Sequence, residues 1–69
     1  MAGSLVEQVG KRIRVLRLRK GWRQVDLSAN VQMNVGHLSD VERGKRELGL
    51  HLLERIAKAL DVPPADLLR

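Results

Sequence analysis

Sixty-nine residues leave room for one domain, residues 1–69, and a chain of this size buries only about 60% of its unfolded surface, so function has to sit on the outside. The 13 Lys and Arg against 8 Asp and Glu give a net charge of +5, which points to a polyanionic partner, nucleic acid ahead of an anionic membrane surface. The absence of cysteine excludes disulfides and thiolate zinc sites, and the apolar runs are too short to cross a bilayer or act as a signal peptide, so the chain reads as cytoplasmic.

Ser4 followed by Glu7 is a capping box, and Val6, Val9, Ile13 and Leu16 then recur at helical spacing until Gly21, which predicts a first helix over residues 5–20. Gln24 to Val31 carries Val25, Leu27 and Val31 in a shorter helical pattern. A break falls near Gln32 and Met33, after which Asn34 is a good N-cap for a third helix, with Val35, Leu38 and Val41 leading to Gly44. Gly49 opens a fourth helix whose Leu50, Leu53, Ile56, Ala57 and Leu60 form one apolar face. Pro63 and Pro64 end it and start a short fifth helix, with Leu67 and Leu68 available for packing. No segment carries a strand pattern, so the expected class is all-α with five helices.

Two short helices around a tight break, with a basic cluster behind them, resemble the lambda-repressor-like helix-turn-helix family (Cro/repressor type, XRE). In size the chain is similar to restriction-modification controller proteins and small phage repressors. The resemblance covers nearly the whole chain and rests on KRIRVLR in helix 1, GWRQVDLS entering helix 2, LSDVERGKR through helix 3, LLERIAKALDV in helix 4 and PPADLL at the end. It implies a five-helix DNA-binding domain with the helix-turn-helix in helices 2 and 3. It also implies a sequence-specific transcriptional regulator, without enzymatic activity or cofactor, bound as a homodimer to the major groove of a palindromic operator in double-stranded DNA.

In this family the first turn of helix 3 faces base edges, which here are met by Asn34, Val35, Gly36 and His37, then by Ser39 and Asp40. Val35 suits a thymine methyl, His37 a guanine N7 or a phosphate, and Asp40 a cytosine amino group. Gly36 costs helix stability, and the reading favoured for it is close approach of the backbone to DNA rather than mere tolerance. Gln24 matches a phosphate clamp at the start of helix 2, while Arg43, Lys45 and Arg46 suit phosphates across the groove.

Three positions depart from the family pattern. Arg23 stands where a Ser or Thr usually caps helix 2, which exchanges a capping oxygen for a phosphate contact. Gln32 replaces the usual turn glycine, implying either a left-handed residue or a different turn, and Leu48 and Gly49 replace the usual Pro-Ser, implying a looser loop. Seven basic residues and no acidic one lie between Lys11 and Arg23, but helical geometry spreads them round helix 1. Arg17 falls about 40° from the apolar stripe centred on Ile13, and the resemblance implies a partly buried ion pair between Arg17 and Glu42.

Trp22, the single aromatic, is expected as a core anchor between helices 1 and 2 rather than a base-stacking platform. His37 with Asp40, and His51 with Glu54, have no third ligand near them in sequence, so no metal site is expected. Surplus apolar surface late in the chain places a homodimer interface on Leu52, Ala59, Leu67 and Leu68. The competing reading is an antitoxin that binds its own operator and has a protein partner on one face, with Val15 and Leu18 on the solvent side of helix 1 as its mark. A membrane-surface helix built from KRIRVLRLRK lacks interfacial aromatics and is disfavoured.

Overall fold

Helix α1, Leu5–Arg19, opens the computed structural model, which describes residues 3–69. Ser4 Oγ accepts the Glu7 N–H at 3.2 Å and Glu7 Oε1 accepts the Ser4 N–H at 3.0 Å, so both halves of the capping box are made. The helix stops at Gly21, whose φ of 74° is left-handed and free of Cβ strain only for glycine. Helices α2, Gln24–Asn30, α3, Val35–Glu42, and α4, Leu50–Ala59, follow.

The last segment, Pro64–Leu68, is a 3-10 turn and not the fifth α-helix expected from sequence. Asp66 donates to the Pro63 carbonyl three residues back at 2.9 Å, and a five-residue stretch opening on a proline is too short to convert that bond into an α-helical ladder. Among the described residues the architecture is therefore four α-helices and one 3-10 turn around a shared core. Ile13 from α1, Leu27 from α2, Leu38 and Val41 from α3, Ile56 from α4 and Leu67 from the 3-10 turn are its most deeply buried side chains. Every segment donates to the core, so none is independently stable.

Four apolar expectations need correcting. Leu50 is 79% exposed rather than part of the α4 face, because as the first residue of the helix it overhangs the end of the core. Val25, in the first turn of α2, is exposed for the same reason. Leu67 is 0% exposed, so its side chain is consumed by the protomer's own core and is unavailable to a dimer partner. Trp22 is only half-buried, packing on the core from its edge with Lys20 Nζ 4.7 Å above the ring. Leu48, in the loop after α3, packs against the core and pins that loop.

Helices α1 and α3 touch at Gly10, where a Cβ would overlap the Val41 carbonyl oxygen and lie 3.0 Å from that of Glu42. The two backbones meet with no side chain between them, a feature that the apolar periodicity of α1 does not reveal. Gly10→Ala gains about 1 kcal/mol of helix propensity, but it forces backbone against backbone at an overpacking cost of about 1–3 kcal/mol. A net loss is expected, read as a lower midpoint in thermal unfolding; an unchanged or raised midpoint would show that the crossing has slack.

Candidate nucleic-acid interface

The interface is built on a buried ion pair. Arg17 Nε donates to Glu42 Oε2 at 2.7 Å and Nη2 to Oε1 at 2.9 Å, with the side chains only 7% and 2% exposed. The guanidinium's third contact is the Trp22 carbonyl at 2.7 Å, and Gln24 Nε2 donates to Glu42 Oε1 at 3.0 Å. Two parallel charge-assisted bonds are about twice as strong as neutral ones, and no buried side-chain polar atom among the described residues lacks a partner. The network ties the end of α1, the following loop, the first residue of α2 and the last residue of α3 to one another. Gln24, expected as a phosphate clamp, is thus held by its amide at the start of α2.

The turn between α2 and α3 is made by Gln32 at φ 57°, which settles the two possibilities in favour of a left-handed residue at about 1 kcal/mol of strain. Met33 N–H donates to the Ser28 carbonyl at 2.8 Å, and Gln32 Oε1 accepts from Arg55 Nη2 at 3.2 Å, so the strained residue is also tied to α4. Asn34 Oδ1 accepts the N–H groups of Gly36 at 2.8 Å and His37 at 3.2 Å, an N-cap that starts α3 where the chain leaves the turn.

Along α3, Val35 and Gly36 are exposed, while His37, Ser39 and Asp40 are half-buried. Arg43, Lys45 and Arg46 follow in exposed positions. Asp40 Oδ1 accepts from Arg43 Nη2 at 2.6 Å, so the carboxylate expected to accept from a base is engaged within the protein. Arg23 has no oxygen with which to cap α2; instead Asp26 Oδ2 accepts the Arg23 backbone N–H at 2.7 Å, and the Arg23 guanidinium pairs with the same carboxylate at 3.1 Å. That guanidinium and backbone N–H hold the Asp26 carboxyl below the usual aspartate range. Asp at this position is the signal by which sequence reasoning could have found the substitute cap.

Of the seven basic residues between Lys11 and Arg23, several serve the fold. Arg12 Nε donates to the Asp66 carbonyl at 3.0 Å, and Lys20 reaches the Ala59 carbonyl at 3.2 Å and Asp61 at 2.7 Å. The proposed dimer residues Leu52 and Ala59 are half-buried and Leu68 is exposed. His51 and Glu54 are both exposed, and no cluster of metal-capable side chains is found among the described residues. No helix among them is long and apolar enough to cross a membrane.

The Helix-turn-helix family profile matches residues 13–67. Control protein C.BamHI of Bacillus amyloliquefaciens is 40% identical over 60 residues, covering 86% of this chain and 74% of that protein. Longer transcriptional regulators also match, and the chain spans little more than half their length. Among solved structures, the restriction-modification controller protein C.AhdI from Aeromonas hydrophila superposes with a TM-score of 0.86 at 34% identity, covering 90% of this chain and 94% of that one. The biofilm regulator SinR, solved in complex with DNA, superposes with a TM-score of 0.84 at 29% identity, covering 88% and 98% of the two chains.

Glu42→Ala leaves a buried guanidinium unpaired and is expected to cost about 3 kcal/mol or more, measured by chemical denaturation. Arg17→Met combined with Glu42→Leu is expected to be more stable than Glu42→Ala alone; equal or lower stability would show that the pair is more than a neutralised charge. The Asp26 carboxyl is expected to titrate below about 3.9, the ordinary aspartate value. Because its folded value is depressed, its contribution is present above the ordinary value and is lost as pH falls through the lowered one. Carbon NMR of that carboxyl tests this, and Arg23→Ala is expected to move the midpoint up.

Proposed function

The chain belongs to the helix-turn-helix family of Cro/C1 type, and from that premise we propose that it is a transcriptional regulator that binds an operator in the major groove of double-stranded DNA. The observation that carries this is the outward face of α3, left open by the Asn34 cap and Gly36 and continued by the exposed Arg43, Lys45 and Arg46. SinR, which shares the fold, was solved with DNA bound, and C.BamHI and C.AhdI are control proteins; this supports a controller-like role. Asn34, Val35, His37 and Ser39 meet base edges, while Arg23, Gln24, Lys45 and Arg46 meet phosphates.

One short helix makes too few contacts for specificity, so the protein acts as a homodimer on half-sites about 34 Å apart, one helical turn. With Leu67 withdrawn into the core, the dimer face rests on Leu52, Ala59 and Leu68, joined by Leu50. Leu50 and Leu68 border an apolar cavity of about 270 Å³, and this supports placing the partner there. A second reading, an antitoxin with a protein partner, is favoured by the exposure of Val15 and Leu18 on α1. Slowed amide exchange along α1 in the presence of the product of an adjacent gene would support it; unchanged exchange would remove it.

DNA binding is tested by a mobility shift against salt, where neutralising Z phosphates gives a slope near −0.9Z in log K against log salt. A steep slope that falls by about one for Lys45→Ala or Arg46→Ala is expected, and a flat response would exclude the reading. Light scattering is expected to give the mass of a dimer; a monomer at high micromolar concentration would exclude the dimeric mode.

A further inference from the structure

Helical geometry singles out one line of residues on α3. At about 100° per residue, the buried Leu38, Val41 and Glu42 define the inner side of the helix, and the direction opposite them carries Gly36, Asp40 and Arg43, each within about 35°. Arg43, the C-cap, belongs to this line because its N–H donates to the Ser39 carbonyl four residues back at 3.1 Å, which places its Cα on the last helical turn. Val35, His37 and Ser39 lie to the sides by the same geometry. Gly36 has no side chain, and a Cβ built there would meet only the Asn34 Oδ1 at 3.0 Å. The long side chains of the outward line are therefore Asp40 and Arg43, and they are joined at 2.6 Å.

A lone carboxylate in the middle of a face that meets a polyanion is repulsive. Pairing with Arg43 removes the repulsion and also occupies the carboxylate, which makes it a poor acceptor for a cytosine amino group. The same bond restrains the arginine, whose rotamer freedom is otherwise among the largest costs of using it for recognition. One guanidinium edge faces Asp40 and the remaining N–H donors are directed elsewhere. Guanine, with O6 and N7 side by side, is the base that offers two major-groove acceptors to such a fork. Lys45 and Arg46 differ: they lie beyond the left-handed Gly44, off the helical line, and pair with no carboxylate among the described residues.

We propose that Asp40 and Arg43 form one specificity-determining unit, in which Arg43 reads a guanine and Asp40 is a positioning residue with no base contact of its own. The bare Gly36 lets the outward line enter the groove deeply enough for Arg43, about two turns further on, to reach a base edge. This rests on the DNA-binding reading above and gives Asp40 and Arg43 other roles than the cytosine and phosphate contacts that the family resemblance implies for them.

The test is selection from random DNA with the wild-type chain, Arg43→Lys, Asp40→Asn and the double variant, with binding to the selected site titrated against salt. Arg43→Lys keeps the charge and loses the fork. It is expected to lower the preference for one G·C pair about tenfold while leaving the salt slope unchanged. Asp40→Asn is expected to weaken the preference at that same pair, and the double variant to lose no more than Arg43→Lys alone. The proposal is overturned if Arg43→Lys leaves the motif intact, or if Asp40→Asn alters a different base pair. It is equally overturned if Asp40→Asn tightens binding to all sequences evenly, which is the mark of a merely repulsive charge. A wild-type chain that selects no motif removes sequence-specific binding itself, and a selected motif with uncoupled variants removes only this unit. Arg43 is exposed and Asp40 only half-buried, and matching circular dichroism melts verify that the variants remain folded.

Discussion

Burial of the Arg17–Glu42 pair is the constraint on which the arrangement of the helices depends. Two charges withdrawn from water cost several kcal/mol each unless their geometry is met closely, and here it is met by four hydrogen bonds that come from four different parts of the chain. Any rotation of α3 against α1, or of α2 against either, breaks one of them. In a core with few aromatic side chains, this penalty does what bulky packing does elsewhere: it makes alternative packings of the same aliphatic residues unfavourable. Gly10 is the complement of the pair, since the close approach of α1 to α3 lets a carboxylate at the end of α3 reach an arginine in the last turn of α1.

That rigidity has a functional consequence. Helices of seven, eight and ten residues are too short to persist alone, so the surface offered by α3 is only as well defined as the contacts behind it. The strained Gln32, held by Arg55 of α4, and the Asn34 cap fix where α3 begins; the ion pair fixes where it ends. Between these anchors the outward line has one bare position and one arginine-carboxylate pair. As the DNA-binding surface proposed above, it has low side-chain content and takes its precision from the scaffold.

The charge of the molecule is likewise less free than its composition suggests. Arg12, Arg17 and Lys20 are committed to carbonyls and carboxylates of other segments, and Arg23 and Arg43 are each held by an aspartate three residues away. What remains exposed and uncommitted is divided between Lys11, Arg14 and Arg19 on α1, Lys45 and Arg46 after α3, and Lys58 on α4. The dense basic run of α1 thus keeps fewer than half of its charges for an outside partner.

The four helices, the capping residues Ser4 and Asn34, the left-handed stop at Gly21 and most of the core were legible in the sequence, because caps and apolar periodicity are local and act within a turn or two of chain. The positions misread lie where a local pattern runs past the end of the packed core. Leu50 and Val25 continue an apolar period but have nothing to pack against, and Leu67 looks like spare apolar surface until the other segments close over it. The partition of arginines between core, cap and open surface depends on carboxylates and carbonyls up to 54 residues away, and the need for glycine at position 10 depends on a carbonyl of another helix. Sequence alone determined where helices start, stop and face inward. Which charges are spent inside the protein, which apolar residues are left outside and which pair faces outward from α3 were decided by tertiary packing, because burial and ion pairing are properties of neighbours in space.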